Sequence, residues 1–413
     1  MRILFASWHF YLDQSNGASI STRELLRALA ARGWETSTFC GPIVDNPNVS
    51  SVEKVLAARK IAPLASASNY KKTAFSTVSF RDEKIKSIAF CPVDRSQVPS
   101  SDVGRAFLST LDAVLKRVRP DVVATYGGYW LGDQILERCK RCGAKTIVLL
   151  QNFAYHDAGY FQQADIVVVP SQYAADVYRK RLDLKTVVAP PPIDWNAVAP
   201  ERDLLSCKRR TEADLPASSG SANEKSADGL LFVNPSLNKG VPLFARIVKE
   251  LWIQRPDIPV LVVEGSSNVD SLRDYRSILA DVKSVNYMRN TTRPWDYYRQ
   301  AKITLVPSYF DESFGRVAAE SLIAGVPVVA SNRGALPETL ADAAILLDIP
   351  KEYGPESKDI PPSKVAKPWI DAIVKLWDDE AFYEDARKRG LERAETWKLE
   401  RVVDVYERLF KGN

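Results

Sequence analysis

Residues 308–338 read SYFDESFGRVAAESLIAGVPVVASNRGALPE, and the reading of this stretch decides the fold. An apolar run at 303–308 leads into it and predicts a strand. A short polar loop follows. A helix is predicted over 316–323, entered near Phe314-Gly315 and closed by the C-terminal glycine signal of Gly325. A second apolar run, 326–330, predicts the next strand. Strand, loop, helix and strand in that order form one unit of a parallel sheet, with the loop at the carboxyl end of a strand, where open α/β sheets hold their ligands. Two carboxylates, Glu312 in the loop and Glu320 in the helix, have seven residues between them in this unit. One reading makes both of them solvated charges. The flanks favour another, because Gly315 permits close approach of the backbone and the N–H groups of Phe314, Gly315, Arg316 and Val317 at the helix start can take a phosphate. A carboxylate beside an anion site points to a hydroxyl-rich partner, such as a sugar or a ribose.

The chain of 413 residues is too long for one core and predicts two domains. Its net charge of +5 is small for that length and calls for no nucleic acid; it fits a protein that handles anionic small molecules. Five cysteines, an odd number, fit a reduced, cytoplasmic protein. Cys139 and Cys142 have metal or redox spacing, but no second pair follows and the chain has two histidines, His9 and His156. We therefore expect no metal site and read the pair as a helix end before Gly143. The apolar start, MRILFASWHFY, is too short and too aromatic for a signal peptide, and no run reaches the length of a membrane span. The expected location is the cytoplasm. The basic end of a helix predicted over 103–117, Lys116-Arg117-Val118-Arg119, offers a peripheral contact with the inner face of a membrane, or simply places cations at a helix C-terminus.

From the start of the chain, strand 2–6, helix 19–31 and strand 34–40 form a βαβ opening with Asn16-Gly17 in its loop. No G-x-G-x-x-G occurs there, which argues against a nicotinamide cofactor. Residues 45–100 are poorly periodic and read as loops. Helix 133–142 and strand 145–150 follow, and 164–171 (ADIVVVPS) echoes 301–308 (AKITLVPS), a hint of two facing Rossmann-like halves. The stiff Pro190-Pro191-Pro192 and the polar 202–228 mark the junction. Strand 230–233, a loop ending in Lys239-Gly240, strands 260–263 and 285–288, and amphipathic helices over 368–411 complete the chain.

The segment E-S-F-G-R-V-A-A-E followed by A-G-V-P-V-V-A-S resembles the E-x7-E segment of retaining glycosyltransferases of family 4, which have the GT-B fold. The match is dense here and looser over most of the chain. The resemblance implies an α/β protein of two Rossmann-like domains facing each other across a crevice. Residues 1–190 would form the acceptor-side domain together with a C-terminal helix, 396–413, and 191–395 the donor domain, with a flexible linker at 202–228. It implies a nucleotide-diphosphate sugar donor, carrying UDP or GDP by family habit, and a hydroxyl acceptor such as a glycan, a lipid-linked sugar or a small natural product. No resident cofactor is implied. Glu312 would hold sugar hydroxyls, Glu320 the ribose, and Lys239, with the helix start, the diphosphate. Backbone near Met288 would meet the base. Gly17 would lie against the donor's phosphates, or serve the turn alone. The family's Gly-Arg before Lys-Gly is replaced at the arginine position by Asn234, one cation fewer, which Arg289 or Arg293 can supply. The family histidine falls at or beside Gln151, and the nearest one here is His156. Transfer with retention would follow attack on the face the phosphate leaves, without a D-x-D metal loop. Two other readings keep many of these features. A non-catalytic nucleotide-sugar binding protein keeps them all. An epimerase of the same fold needs ionisable groups on both sugar faces, and scarce histidine argues against it.

Overall fold

The computed structural model describes residues 1–46, 48–49, 51–69, 75–93, 95–127, 130–200 and 229–412; the linker expected over 202–228 lies outside them. The chain divides into two compact units, Met1–Ile193 with Leu399–Asn413, and Asp194–Lys398.

Unit 1 is built on one sheet. Its strands are β1 (Arg2–His9), β2 (Glu35–Ile43), β3 (Pro63–Asn69), β4 (Phe75–Asp82), β5 (Ile85–Pro92), β6 (Val122–Thr125), β7 (Lys145–Leu149), β8 (Ile166–Val169) and β9 (Val187–Val188), in the order β3-β4-β5-β2-β1-β6-β7-β8-β9. Helices α1 (Gly17–Ala31), α2 (Val52–Ala58), α3 (Ser101–Val118), α4 (Leu131–Arg141) and α5 (Gln172–Leu182) run between them. Alternate residues of β1 feed two cores: Ile3 and Phe5 pack on the α1 side, Leu4 and Ala6 on the α3 and α4 side. That is why the strand reads as a continuous apolar run.

The region 45–100 departs from the sequence reading. Instead of loops it supplies α2 and three strands, of which β3 and β4 run antiparallel at the sheet edge. A strand such as FSTVSFRD hides its period because serine and threonine occupy both faces. Its inward side carries Val78, Phe80 and a buried Asp82, the last held by Arg23 through two bonds of 2.8 and 2.9 Å. Cys139 lies buried at the end of α4 and Cys142 caps that helix.

Unit 2 holds α6 (Trp195–Val198), β10 (Gly229–Val233), α7 (Val241–Gln254), β11 (Val260–Val263), α8 (Arg276–Leu279), β12 (Val285–Met288), α9 (Trp295–Tyr298), β13 (Ala301–Val306), α10 (Arg316–Ile323), β14 (Val328–Ser331), α11 (Leu336–Leu340), β15 (Ile345–Leu347), α12 (Ser363–Asp378) and α13 (Glu380–Ala394). Its sheet is parallel throughout, in the order β12-β11-β10-β13-β14-β15. α7 and α12 cover one face around Phe232, Phe244, Trp369 and Ile373. The echo between 164–171 and 301–308 is one of strand chemistry and not of position: β13 adjoins the first strand of its sheet, whereas β8 stands three strands from β1.

The chain then returns to unit 1 as α14 (Leu399–Lys411). Val402, Val403, Tyr406 and Phe410 form its apolar stripe and close the core beside α1. Arg32 at the end of α1 bonds Asp404 and Glu407, and the Trp34 indole donates to Glu407 at 2.6 Å. Among the described residues no helix is long and apolar enough to cross a membrane.

Candidate functional site

In unit 2 the strand order reverses between β10 and β13: β11 and β12 are added on one side, β14 and β15 on the other. Loops leaving the carboxyl ends of two such strands diverge, and ligands of open parallel sheets bind there. These are the loops that carry Lys239 and Glu312.

Backbone contacts bring the two together. The N–H groups of Tyr309 and Phe310 both donate to the Asn238 carbonyl, at 2.8 and 3.2 Å. Gly240 then turns the chain into α7 with φ of +82°, its Cα pressed against the Pro307 carbonyl. A Cβ has no room there. Gly240→Ala is expected to lose about 2 kcal/mol or more, since the left-handed conformation alone costs about 1–2 kcal/mol. Calorimetric melting checks this, and an unchanged Tm would show that the loop junction is looser than described.

The consequence is a charged pair at the mouth of the sheet. Lys239 Nζ donates to Glu312 Oε1 at 2.7 Å, and Ser308 Oγ donates to the same oxygen at 2.7 Å. Both contacts fall on Oε1, so Oε2 keeps its lone pairs for a further donor. The lysine ammonium also lies 4.7 Å from the centroid of the Phe310 ring. Behind Glu312, Gly334 packs its Cα on the backbone of 311–312, and the Ala335 N–H donates to the Glu312 carbonyl at 2.8 Å. Arg333 donates to the carbonyls of Tyr309, Ile349, Pro350 and Tyr353. The loop is held by backbone on three sides.

Helix α10 is entered at Gly315, φ +90°, with no side-chain cap, so its first N–H groups have no intrahelical partner. Phe314 is the buried shoulder of this start: Thr339 Oγ1 donates to its carbonyl at 2.6 Å and its ring meets Trp397 edge-on at 5.7 Å. One turn in, Glu320 is 5 % exposed. Its Oε1 accepts from Arg316 Nε at 2.6 Å and its Oε2 from the Tyr298 hydroxyl at 3.1 Å. Tyr298 also donates to the Val317 carbonyl at 3.0 Å. Burial, and then the Glu320 charge, push the Tyr298 phenol well above its ordinary pKa, so it remains a donor.

The remaining candidates lie elsewhere. Asn234, at φ +63°, bonds Ser266 Oγ and accepts from the Ser267 N–H at 2.9 Å, which ties the ends of β10 and β11 together. Met288 ends β12 and its carbonyl accepts from the Glu264 N–H at 2.9 Å. Arg293 forms a fork with Asp296 at 3.1 and 2.8 Å on an exposed surface, so its charge is already matched. The second cation beside the carboxylates is Arg316, whose side chain the sequence reading passed over. Its four-residue spacing from Glu320 was the available signal. Ser308 and Tyr298 carry no such signal, because their roles depend on packing between distant segments.

Gly17, in unit 1, is the first residue of α1 and is exposed; the turn before it is made by Asn16, whose side chain accepts from the N–H groups of Ala18 and Ser19. Gly17 is absent from the positive-φ glycines, so the turn does not require it. His156 is exposed, whereas His9, at the end of β1, is enclosed beside Tyr126 and Gly127, and burial lowers its pKa despite the nearby charge of Asp45. Among the described residues no group of three or more His, Cys, Asp or Glu is placed to hold a metal ion.

The segment that builds this site is also the one that matches a known family. Residues 223–353 match the family described as Glycosyl transferases group 1. The group 1 segment contains Lys239, Glu312 and Glu320, together with β10 to β15. The D-inositol 3-phosphate glycosyltransferase of Paenarthrobacter aurescens is 29 % identical over 256 residues, 59 % of this chain and 53 % of that protein. Its counterpart from Corynebacterium aurimucosum is 29 % identical over 203 residues, 47 % and 43 % of the two chains. The chain thus spans about half the length of the curated relatives it matches. Among solved structures, sucrose-phosphate synthase (tll1590) from Thermosynechococcus elongatus superposes with a TM-score of 0.66 at 18 % identity, covering all of both chains. Anabaena Alr3699/HepE, solved in complex with UDP-glucose, superposes at 0.65 and 12 % identity, again over both whole chains. The fold is therefore GT-B, two Rossmann-like domains, and the group 1 match supports a GT-B glycosyltransferase.

Proposed function

We propose that this protein transfers a sugar with retention from a nucleoside-diphosphate sugar, with UDP as the favoured nucleotide, to a hydroxyl acceptor. The observation that carries the reading is the Lys239–Glu312–Ser308 cluster beside the uncapped start of α10, with Glu320 one turn deeper. A departing diphosphate needs positive charge, which Lys239 and the N–H groups of α10 supply. A sugar needs an acceptor for its hydroxyls, and Glu312 Oε2 is available for that role. A ribose needs the same, and Glu320 offers the remaining lone pairs of a carboxylate held by Arg316 and Tyr298. The carboxylates thus bind and orient. Proton transfer from the acceptor goes to the departing phosphate oxygen, and no side chain is assigned as general base. UDP is favoured because the HepE structures hold UDP and UDP-glucose.

The test is thermal melting with UDP, GDP, ADP and TDP, followed by assay of nucleotide release with sugar conjugates. A ligand that binds only the folded state at a hundred times its Kd stabilises by about 2.7 kcal/mol. A rise in Tm with UDP above the other nucleotides is expected. No rise with any of them would sink the transferase reading, and a rise without turnover on any acceptor would favour a non-catalytic binding protein.

A further inference from the structure

At the opposite end of the unit 1 strands, away from the ends that carry Gly17, lies a recess of about 370 Å³. It opens between the last turn of α3 and the strands β1, β2, β4 and β5. Arg81, Lys86 and Arg117 line it, with Arg2, Glu35 and Leu64. Arg2 is engaged with Asp121 at 3.0 Å. None of Arg81, Lys86 and Arg117 has an ion-pair partner among the described residues, so three cations stand against the single carboxylate of Glu35. Cations at a helix C-terminus complement its dipole, and that accounts for Arg117 alone. Arg81 and Lys86 come from other elements. They are directly opposite each other in the antiparallel β4–β5 ladder, where like charges destabilise the pair. Cations from three elements line one recess, and an anion held there would offset their mutual repulsion. Leu64, 68 % exposed on the recess wall, adds an apolar contact.

We propose that this recess binds a phosphate group, at a site separate from the one in unit 2. β1 runs from Arg2 at the recess to His9 near the Gly17 loop, a length of roughly 23 Å at about 3.3 Å per residue. The site therefore lies a full strand away from that loop. Phosphate of this kind comes either on a lipid headgroup or on a soluble molecule.

Two probes separate the sources. Wild type and the double variant Arg81→Gln/Lys86→Gln are titrated with inorganic pyrophosphate. Both are also floated with phosphatidylcholine vesicles made with and without phosphatidylglycerol. The variant keeps Lys239 and α10, so phosphate binding that survives in it belongs to unit 2. At low salt each lost charge should weaken vesicle binding about fivefold, from about 1 kcal/mol per basic residue near an anionic surface, and the double variant by about twenty-five-fold. Loss on phosphatidylglycerol vesicles assigns the site to a headgroup. Loss of a pyrophosphate-binding step assigns it to a soluble phosphate. Wild type and variant behaving alike with both probes overturns the proposal. Lys86→Gln should also melt at or above wild type in low salt, because it relieves the cross-strand repulsion; a lower Tm would make Lys86 a structural cation and overturn the site as well. Arg117→Gln, on α3, repeats the binding test from a different element.

Discussion

Lys239→Met is expected to lower kcat/KM by about 10²–10³, the loss typical of removing one preorganised stabilising group from a developing oxyanion. Methionine keeps an apolar stem against the Phe310 ring and removes only the charge. The variant leaves Glu312, 7 % exposed, with the Ser308 hydroxyl as its side-chain donor among the described residues. A buried carboxylate that loses its cation is costly, so the melting temperature should fall too. Stability and chemistry can be separated with the double variant Lys239→Met/Glu312→Gln, which removes both charges. It should regain most of the lost Tm and none of the lost turnover. Affinities for nucleoside mono- and diphosphate give the sharper check. In the wild type the diphosphate should bind more tightly, and in Lys239→Met the difference should shrink. If the two affinities fall in parallel, Lys239 does not meet the second phosphate.

Glu320→Ala has the second largest expected effect, and it falls on binding. A charged hydrogen bond contributes about 1.5–3 kcal/mol, so loss of a carboxylate that accepts from ribose hydroxyls should raise the Kd for UDP by roughly 10- to 150-fold. The same change removes the carboxylate that Arg316, with its side chain 13 % exposed, and the Tyr298 hydroxyl both donate to. Breaking a buried pair in this way costs about 3–5 kcal/mol when burial is complete, and solvent at the helix start reduces that figure here. Glu320→Gln keeps the shape and one acceptor oxygen, and should recover much of the stability. If Glu320→Gln melts like wild type and also binds UDP like wild type, the carboxylate charge plays no part in the donor site.

The central unit of the fold was legible because its signals agree. In 303–338 a buried apolar run, a glycine that must be left-handed, a helix and a second glycine occur in an order that only a parallel sheet satisfies, and α10 occupies the predicted 316–323. Strands 260–263 and 285–288 were read at their observed bounds for the same reason: each is an isolated run of suitable length. The hairpin β4–β5 was not legible. One face of β4 mixes Phe75, which stacks on Phe90, with Thr77 and Ser79, and the other contains Asp82, whose presence in a core depends on Arg23, 59 positions away. In the candidate site, the identities of Lys239, Glu312 and Glu320 were evident, but the partner that each one holds was not. Asn234 could be read only as a missing arginine. Its actual work, tying two strand ends together through Ser266 and Ser267, is a contact between loops that are distant in sequence.

The return of α14 to unit 1 has a consequence for how the chain is made. About two hundred residues of unit 2 separate the main part of unit 1 from the helix that completes its core. At about 5–20 residues per second, a ribosome needs roughly 10–40 s to cross that interval. During it, the groove beside α1 that Val402, Tyr406 and Phe410 will fill remains uncovered. Unit 2 can finish folding first, although its residues are synthesised second. The nascent unit 1 is then the part of the molecule that needs protection, and a chaperone that binds apolar stripes would find its target there.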